Sequence, residues 1–576
     1  MTETQRDGGW GRLAWLLPML LAAIVYLFST ANRPVMDYDE GYYSQGPQQM
    51  VERGDWVTPH ANGVRYLEKP PLMYWLTAAS FRLFGVNEFA LRLPTALGVI
   101  ALVGVVTLMA RRASGVRAAI IAGLCTAFSA GTYLFTRETL HDIWLVLFVT
   151  LAMYAFFEWY RDSLHSLRHA LLFYAAMAGA VMCKSLIGVA FPVGIVTVFF
   201  LLSRERPKWR TLHVLPGFLL FLSLAVPWHW LAAIRNQGFL GFFFVSEQFL
   251  GFLKRSGPSM PLLTFWALVL VWFFPWAAFL PAAFAASRKP ANSGERTLMK
   301  LALSWVGVIL GFFSVSTRLE HYAFPALPAL SLLVGVALSR ADDSRAVKWA
   351  FRGLAALSVA VLAAAVGVGI WFGATGHGFK LPAAEPTSRA LDYETDFSIL
   401  ADMPAEILRS LIMPGAMTIV SLSIGFLAGL WFETHRQRMK AVMSVAAVMM
   451  VVCGMIHWSL MICEDLISSK KFALAVAREA RPSDHLVVVG DYESANSLNF
   501  YQQLRVEVFD GLAYALIGGL KYQDAPRVVL TQQEFTAVWR SASRVFALVP
   551  KARLGELKLG GVEILAVLDR VLIRNR

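Results

Sequence analysis

A short segment that follows the first apolar run contains residue types that could do chemistry at a membrane surface. Asp39 and Glu40 stand side by side a few residues beyond that run, and Arg65–Pro70 adds Glu68 and Lys69. Ionisable side chains beside a bilayer are costly and are usually retained for function. A carboxylate can orient or deprotonate an incoming nucleophile. A cation can neutralise the charge that develops on a leaving phosphate.

Further ionisable residues are predicted to lie at the same, outer face of the membrane. They stand at the ends of apolar runs or in the loops between them, at Arg137, Glu138, His141, Asp142, Lys184, Lys254, Arg255, Arg318, Glu320 and His321. Carboxylates and cations at one membrane interface suit a substrate that is half lipid and half phosphate. The pattern therefore predicts an integral-membrane transferase, and it requires no metal or cofactor, because cationic side chains can stabilise the leaving phosphate.

Each of these residues also has a purely structural explanation. Asp39 and Glu40 could cap the helix that follows them, because acidic residues suit a helix N-terminus. Lys69 could extend to lipid headgroups, and Asp142 could be a helix cap paired with Arg137. The corresponding structural roles are pairing with a nearby anion for Lys184, interfacial anchoring for Arg318 and His321, headgroup binding for Lys254 and Arg255, and a plain loop position for His60.

The composition is that of a polytopic membrane protein. Of the 576 residues, 57% are hydrophobic and only 16% are charged, whereas a soluble domain is nearer a quarter charged. A net charge of +13 would suggest a nucleic-acid partner in a soluble protein. Here the basic residues lie in short loops between apolar runs, where they set topology and contact anionic headgroups. We therefore expect membrane lipids, and no nucleic acid, as partners.

About thirteen apolar runs are long enough to cross the hydrocarbon core. They fall near 13–31, 90–110, 117–135, 140–160, 168–183, 185–203, 212–233, 261–286, 300–316, 321–339, 349–373, 411–432 and 439–462. The first run lacks a convincing cleavage site, so it is predicted to be an uncleaved span.

The loops predicted to lie inside the cell are all basic, as the positive-inside rule requires. They contain Arg111, Arg112 and Arg117; Arg161 and Arg168; Arg204, Arg206, Lys208 and Arg210; Arg288, Lys289, Arg296 and Lys300; Arg340, Arg345 and Lys348; and Arg436, Arg438 and Lys440. This pattern predicts a cytoplasmic N-terminus, and the odd number of spans then places the C-terminus outside.

The fold class that follows is mainly α. Residues 1–463 are predicted to form a transmembrane helical bundle whose first outer loop, 32–89, contains juxtamembrane helices at 41–53 and Leu72–Phe84. Further outer loops are expected at 234–260 and 374–410. Residues 464–576 are predicted to form a small α/β domain outside the membrane. A buried strand and a turn are expected at 485–491, further strands at 505–509, 527–530, 545–549 and 562–572, and helices at 493–503 and 533–543.

Several functions are excluded by what the sequence lacks. It contains no phosphate-binding G-x-x-x-x-G-K-[ST] or G-x-G-x-x-G motif, and its inner loops are too short for a nucleotide-binding domain. An ATP-driven transporter and an enzyme that uses a soluble nucleotide-activated substrate are therefore not expected. The four cysteines, Cys125, Cys183, Cys453 and Cys463, form no CxxC pair and have no metal-like spacing.

Together these segments resemble the ArnT-like branch of the GT-C integral-membrane glycosyltransferases, which is related to protein O-mannosyltransferases. The resemblance rests on Asp39-Glu40-Gly41-Tyr42-Tyr43, Gly54-Asp55-Trp56-Val57-Thr58-Pro59-His60, Arg65-Tyr66-Leu67-Glu68-Lys69-Pro70-Pro71, Asp142, Met182-Cys183-Lys184, and Arg318, His321, Tyr322, Pro325 and Pro328. The chain departs from the lipid A-modifying members where they have Asp-Glu-x-Arg-Tyr and where their tenth span begins with lysines.

The resemblance implies a bacterial inner-membrane enzyme that transfers a sugar, with inversion, from a polyprenyl-phosphate carrier at the periplasmic face. The acceptor would be a lipid of the lipid A type, a glycan or a protein. Asp39 would be essential, supported by Glu40 or Asp142, and Lys69, Lys184 and Arg318 would hold the carrier phosphate. Further contacts to the donor are expected from Arg65, Tyr42, Tyr43, Arg137, Glu68, His321, Tyr322 and Arg255. A transporter or flippase of lipid-linked saccharides, a glycan polymerase or ligase, and an assembly protein are the competing hypotheses.

Overall fold

The computed structural model describes residues 13–139, 141–162, 166–204, 209–250, 259–340, 344–375 and 403–575. Most of these residues are helical. Arg255 and Lys254, and most of the predicted loop at 374–410, lie outside the described residues.

The helices of the amino-terminal bundle follow the predicted apolar runs. They are α1 (Leu17–Phe28), α2 (Asp39–Arg53), α3 (Leu72–Phe84), α4 (Glu88–Ser114), α5 (Val116–Ala127), α6 (Ala130–Leu134), α7 (Asp142–Arg161), α8 (Leu167–Lys184), α9 (Ile187–Ser203), α10 (Val214–Arg235), α11 (Leu262–Trp272), α12 (Leu280–Ser287), α13 (Ser293–Val315), α14 (Leu327–Ser339), α15 (Arg345–Thr375), α16 (Ala405–Thr434) and α17 (Arg438–Ile462). Short 3-10 segments lie at Ala14–Leu16, Trp209–Leu212, Trp276–Phe279 and Glu320–Ala326, and a π-helical segment lies at Gly241–Leu250.

All thirteen apolar runs lie on helices, but the number that cross the membrane stays a prediction. Within the described residues, eight helices are long and apolar enough to span a bilayer. A ninth span is present if Leu262–Trp272 and Trp276–Ser287, which meet at a 97° bend, form one broken helix. The apolar segments Ala14–Phe28, Val116–Ala127 and Ile187–Ser203 are shorter.

The centre of the bundle is built from α4, α5, α7 and α14. Helix α14 is buried almost along its whole length, and it packs against α5 through small residues. A Cβ added at Gly335 would stand 2.6 Å from the Cβ of Ala122, so only glycine permits this approach. Small residues at such contacts let two helices in a membrane come close enough for van der Waals packing.

The first outer loop contains both predicted juxtamembrane helices, α2 and α3. Helix α2 begins at Asp39, two residues before the predicted start, and a two-stranded antiparallel hairpin separates it from α3. The hairpin strands are β1 (His60–Ala61) and β2 (Val64–Arg65), with His60 opposite Arg65.

The carboxyl-terminal region is the predicted α/β domain. Its strands are β3 (His485–Val489), β4 (Val506–Phe509), β5 (Val529–Leu530), β6 (Val545–Pro550), β7 (Val562–Val567) and β8 (Arg570–Asn575), in the sheet order β5-β4-β3-β6-β8-β7. Its helices are α18 (Glu464–Ile467), α19 (Lys470–Glu479), α20 (Leu498–Tyr501), α21 (Ile517–Leu520) and α22 (Gln532–Trp539), with 3-10 segments at Tyr492–Ala495, Tyr514–Leu516 and Lys551–Arg553. Strands β3 to β6 pair in parallel, and β8 pairs antiparallel with both β6 and β7.

Two predicted elements of this domain were wrong in detail. The single strand expected at 562–572 is a hairpin of two strands, because the chain reverses at Leu568 and Asp569. The single helix expected at 493–503 is interrupted at Asn496 and Ser497. These two residues instead bond to the first outer loop: the Asn496 amide donates to the Tyr38 carbonyl at 2.7 Å, and the Ser497 N–H donates to Asp37 at 2.9 Å.

The first outer loop and the carboxyl-terminal domain share one hydrophobic cluster. It joins side chains of α2, α3 and the β1–β2 hairpin, including Tyr42, Tyr66 and Tyr74, to side chains of the sheet domain, including Tyr492 and Leu498. The predicted boundary at 463/464 therefore separates two stretches of sequence but not two independent cores.

Candidate active site

Asp39 is exposed at the first position of α2. The residue that precedes it has a strained backbone conformation. The preceding Tyr38 has a φ of 65°, a region that bulky side chains rarely occupy. Backbone bonds from the sheet domain hold it there: the Tyr38 N–H donates to the Glu493 carbonyl at 3.0 Å, and the Asn496 amide donates to the Tyr38 carbonyl. Such residues persist where surrounding structure over-determines them, often at functional sites.

Glu40 occupies the opposite environment and is 0% exposed. Arg92 binds it at 2.8 and 2.9 Å, Arg33 binds it at 3.3 Å, and the Met36 N–H donates to it at 2.9 Å. Burial alone would raise the pKa of Glu40, but the guanidinium groups of Arg33 and Arg92 outweigh it and lower this pKa to about 2. Both oxygens are thus engaged by protein donors, so the structure places Glu40 as a residue that positions the loop.

Asp142 and Lys184 form an ion pair at the outer ends of α7 and α8. The Lys184 ammonium lies 2.5 Å from an Asp142 oxygen, and it also stands 5.2 Å from the centre of the Tyr322 ring. The anionic partner expected for Lys184 is therefore Asp142, and the hypothesis that paired Asp142 with Arg137 is wrong. The pair joins two helices that the sequence separates by a loop.

Lys69 is a cation of the first outer loop that has no counter-ion among the described residues. It is half-buried and forms no hydrogen bond or ion pair with any residue of the described ranges. Its charge acts on His141, His321 and Tyr322. A partly buried ammonium group lacking a carboxylate is unfavourable, so this position suits an anion that arrives from outside.

The predicted residues converge on one place, which we call the loop cluster. The charges of Asp39, Asp142 and Lys69 all act on Tyr322, and Asp39, Glu68 and Asp142 all act on Tyr43. Its members are Asp39, Tyr43, Glu68, Lys69, Asp142, Lys184, His321 and Tyr322. It gathers carboxylates, cations and aromatic rings from α2, α7, α8, the loop before α3 and the segment before α14.

The structure gives the other predicted ligands different partners. Arg65 binds Asp524 at 2.5 Å and stacks on Tyr522, and the Tyr42 hydroxyl donates to Glu493 at 2.6 Å. Arg137 is buried against Tyr26 and Tyr133 and donates to Ser29 and to the Tyr133 carbonyl. Arg318 donates to the carbonyls of Met260, Ser314 and Ser316. Their roles in substrate binding stay predictions.

His141 was singled out in the sequence only as one polar residue of many, yet the structure places it against Tyr43 of the loop cluster. It is 1% exposed and lies between the rings of Tyr43 and Tyr74, with centroids 4.5 and 4.9 Å away. Neither ring nitrogen has a hydrogen-bond partner among the residues that the structure describes. The sequence signal that could have pointed to His141 is that it directly precedes Asp142.

The contribution of the carboxyl-terminal domain was missed by sequence reasoning. Asp37, two residues before Asp39, accepts hydrogen bonds from Ser497 and Ser469 and lies 3.5 Å from the Arg570 guanidinium. Burial raises the pKa of Asp37, although Arg570 and these donors oppose the shift. The sheet domain thus fixes the residues that immediately precede the loop cluster. Contacts across more than four hundred residues leave no local pattern in a sequence.

Among the described residues, no group of three or more His, Cys, Asp or Glu side chains is arranged to hold a metal ion. The prediction that the site needs no metal is not tested by this observation.

Comparison with known proteins supports the architecture. A family model described as dolichyl-phosphate-mannose-protein mannosyltransferase matches residues 68–230. In fold, the chain is similar to the crystal structure of ArnT from Cupriavidus metallidurans bound to undecaprenyl phosphate, with a TM-score of 0.81, 26% identity, and coverage of 98% of this chain and 99% of that one. The chain is ArnT-like in sequence and fold. The apo state of the same ArnT matches with a TM-score of 0.79.

Curated relatives of this ArnT-like chain share the sequence signal. The undecaprenyl phosphate-alpha-4-amino-4-deoxy-L-arabinose arabinosyl transferase of Aeromonas salmonicida is 30% identical over 330 residues, or 56% of this chain and 59% of that protein. The protein of the same name from Yersinia enterocolitica is 30% identical over 325 residues, or 55% and 57%. The match thus spans less than two thirds of the curated relatives. An archaeal oligosaccharyltransferase from Archaeoglobus fulgidus, at 15% identity and a TM-score of 0.51, shares the general fold.

Proposed function

We propose that the chain is an inverting, integral-membrane glycosyltransferase that moves a sugar from a polyprenyl-phosphate carrier to an acceptor at the periplasmic face of a bacterial inner membrane. The observation that carries the proposal is that Lys69, a cation without a counter-ion among the described residues, and the exposed carboxylate Asp39 both act on Tyr322 in the loop cluster. Two relatives support the choice of donor, since their names specify an undecaprenyl phosphate-linked sugar. The solved ArnT that matches this chain was crystallised with undecaprenyl phosphate.

The donor phosphate is assigned to Lys69. The ammonium group neutralises the negative charge that grows on the phosphate oxygen as the bond from the anomeric carbon to that oxygen breaks. Lys184 already binds Asp142 at 2.5 Å, so it adds a weaker field and orients Asp142. Arg318 is committed to three backbone carbonyls, so its contact with the same phosphate stays a prediction from the sequence.

Asp39 is assigned to the acceptor. If the acceptor is a hydroxyl, its oxygen attacks the anomeric carbon, a new carbon–oxygen bond forms, the carrier phosphate leaves, and the hydroxyl proton passes to Asp39. If the acceptor is a phosphate, it is already ionised at neutral pH, and Asp39 instead orients it or stabilises positive charge on the sugar. Both routes invert the anomeric carbon, because attack and departure occur on opposite faces.

The test is Asp39→Asn in the full-length protein, with Glu52→Gln as the matched control. Glu52 lies exposed on the same helix and bonds only to Gln48 among the described residues, so its change to an amide removes a carboxylate without touching the site. Membranes from cells expressing each variant are analysed by mass spectrometry for one added sugar on envelope lipids or glycans. We expect Asp39→Asn to lower transfer by at least about 10²-fold and to accumulate the polyprenyl-phosphate sugar.

A transfer rate within a few-fold of wild type for Asp39→Asn would refute the catalytic role. Movement of labelled substrate across proteoliposomes without a covalent product would instead indicate a flippase, and a ladder of products would indicate a polymerase.

A further inference from the structure

A second polar cavity lies at the far ends of the helices that carry the loop cluster and its supporting ion pairs. Three helices each carry a residue of those pairs at one end and an arginine near the other. These are Arg92 and Arg112 on α4, Asp142 and Arg161 on α7, and Lys184 and Arg168 on α8. Because an α-helix rises 1.5 Å per residue, these separations are about 24 to 30 Å. That distance matches the hydrocarbon thickness of a bilayer, so the cavity lies at the opposite membrane face.

Four guanidinium groups line this space, which we call the arginine cavity. Its volume is about 660 Å³, and it is lined by Arg111, Arg112, Arg161 and Arg168, together with His169. The arginines come from three helix ends: the last turn of α4, the last turn of α7 and the first turn of α8. The amino-terminal end of α8, an 18-residue helix, adds the partial positive charge of its free N–H groups.

The cavity has more positive than negative groups. Its two lining carboxylates are Glu158 and Asp162. Glu158 lies 3.7 Å from Arg161, and Asp162 lies 3.9 Å from the Nδ1 atom of His169. Four arginines against two carboxylates leave two positive charges in excess. The ion pairs of the described residues include no carboxylate within 4.0 Å of Arg112 or Arg168.

Two buried polar atoms of the cavity lining, the Nδ1 atom of His169 and one carboxylate oxygen of Glu158, have no hydrogen-bond partner among the described residues. The Glu158 oxygen lies 3.7 Å from the Arg161 guanidinium. The Nδ1 atom of His169 makes no hydrogen bond within the described part of the chain, since 3.9 Å from Asp162 is too long for one. Buried polar atoms in proteins are normally bonded to protein or to another molecule. The open position at His169 Nδ1, and the two arginines that lack a carboxylate among the described residues, therefore point to the same kind of ligand, an anion with several acceptor oxygens.

Ordinary topology signals do not account for this arrangement. The positive-inside rule requires basic residues in inner loops, and Arg288 and Lys289 satisfy it on an exposed loop. It does not require arginines from three helix ends to line one cavity. The Arg111 guanidinium also stacks on Trp15, 5.0 Å from the ring centre, and tryptophan is typical of the level of the lipid headgroups.

We propose that the arginine cavity binds the phosphate of an anionic phospholipid headgroup in the leaflet opposite the transferase site. Guanidinium groups bind phosphate oxygens through paired, charge-assisted hydrogen bonds, and basic pockets between helix ends suit anionic headgroups. The volume exceeds that of phosphate alone and accommodates a glycerophosphate headgroup. The same chemistry would accept inorganic phosphate, and binding measurements with each probe distinguish the two sources.

The test measures lipid retention by the detergent-purified full-length protein with native mass spectrometry. The probes are phosphatidylglycerol, phosphatidylethanolamine and inorganic phosphate. We compare wild type with Arg112→Gln/Arg168→Gln, and the control is Arg288→Gln/Lys289→Gln, which removes the same charge from an exposed loop. We expect the cavity variant to bind phosphatidylglycerol at least about tenfold more weakly, because each lost charge-assisted bond contributes more than the 1.4 kcal/mol of a tenfold change. The control variant should retain it as wild type does.

The proposal is overturned if wild type binds phosphatidylglycerol no better than phosphatidylethanolamine, or if the control variant loses as much lipid as the cavity variant. Inorganic phosphate that competes at millimolar concentration and binds without lipid would identify a free phosphate ion as the ligand of the same site. The variant Arg112→Lys/Arg168→Lys tests whether a loss of lipid comes from the site itself or from misfolding of the glutamine variant. It keeps the charge but loses the paired donors, so we expect an intermediate, few-fold loss, and no loss at all would overturn the site.

Discussion

At the residue scale, two neighbouring carboxylates are placed in opposite environments by one helical step. Asp39 is exposed at the start of α2, and Glu40 is 0% exposed. Consecutive residues on a helix point about 100° apart, so one carboxylate can meet a substrate while the other meets Arg33 and Arg92. The sequence pattern predicted both as catalytic, because two adjacent acids look alike until their partners are known.

The buried pairing of Glu40 predicts a stability effect. Glu40→Gln leaves Arg33 and Arg92 as buried charges without an acid, and we expect it to destabilise the protein by about 3–5 kcal/mol, as when one partner of a buried ion pair is removed. Thermal unfolding in detergent, followed by intrinsic fluorescence, measures the change. Glu52→Gln should melt with wild type. A Glu40→Gln protein that melts at the wild-type temperature would show that the pair does not stabilise the fold.

The pKa of Glu40 gives this contribution a pH window. The pKa falls from an ordinary 4.5 to about 2 in the folded state, so folding favours the ionised form. The stabilisation is fully present above pH 4.5 and is lost as the pH falls towards 2. We therefore expect the difference in melting temperature between wild type and Glu40→Gln to be constant from pH 5 to 8 and to shrink below pH 4.5. A difference that grows on acidification would contradict the ion pair.

We expect a substitution of Lys69 to lower the transfer activity without lowering the stability of the protein. Because it has no counter-ion among the described residues, Lys69→Gln removes an uncompensated charge and should leave the melting temperature unchanged or slightly higher. Transfer should fall by about 10²- to 10³-fold, as when one electrostatic stabiliser of a transition state is lost. Lys184→Gln is the contrast, since it leaves Asp142 unpaired and should lower both quantities. Transfer assays beside melting curves measure each variant, and a destabilised Lys69→Gln would argue for a structural lysine.

At the element scale, α2 is held by the carboxyl-terminal domain along the surface next to Asp39. The Tyr42 hydroxyl bonds to Glu493, the Gln45 amide donates to the Asn496 carbonyl, and Tyr492 donates to Gln45. Helix α2 is therefore positioned by the sheet domain as much as by the membrane bundle. The domain acts on the site through this helix.

Gly41 is the closest point of that contact and provides a test. A Cβ at Gly41 would stand 1.9 Å from the Asn496 amide oxygen and 2.6 Å from its Cγ, so Gly41→Ala must displace the Asn496 side chain or move α2 away from the sheet domain. A displacement of this size near the reacting groups can lower a rate by up to about 10²-fold, and we expect a loss of at least about tenfold in the transfer assay.

The Asn496→Ala variant separates the clash from other effects of Gly41→Ala. It removes the two atoms that the new methyl group would meet, so the double variant Gly41→Ala/Asn496→Ala should recover much of the lost activity. Asn496→Ala alone loses one bond to the Tyr38 carbonyl and should have a smaller effect than Gly41→Ala. If the double variant is no better than Gly41→Ala, contact with the sheet domain is not what the methyl group disturbs.

The helices could be predicted from the sequence, because local apolar composition determines them. The contacts between residues far apart in the chain could not. Long apolar runs must form helices in a bilayer, because their backbone groups have no water to bond, and all thirteen runs are helical. The β7–β8 hairpin was missed because its reversal at Leu568 and Asp569 contains no glycine or proline. An anionic partner was expected for Lys184, but its identity could not be predicted, because Asp142 lies 42 residues away in the chain.

At the scale of the whole molecule, the structure has two charged regions joined by the same helices. Helices α4, α7 and α8 each connect a residue beside the loop cluster to an arginine at the far end. The hydrophobic cluster shared by the first loop and the sheet domain ties that domain to the loop at the end that carries the loop cluster.

Orientation in the membrane connects these two regions to function. The six basic loops predict that the arginine cavity faces the cytoplasm and that the sheet domain is periplasmic. Alkaline phosphatase, which is active only in the periplasm, should therefore be active when fused after Arg576 and inactive when fused after Arg436. Fusion of a fluorescent protein that matures only in the cytoplasm should give the opposite result at both sites. Activity of both phosphatase fusions would require an even number of crossings between Arg436 and the sheet domain, and reversed activities would place Lys69 and Asp39 on the side where no periplasmic acceptor is present.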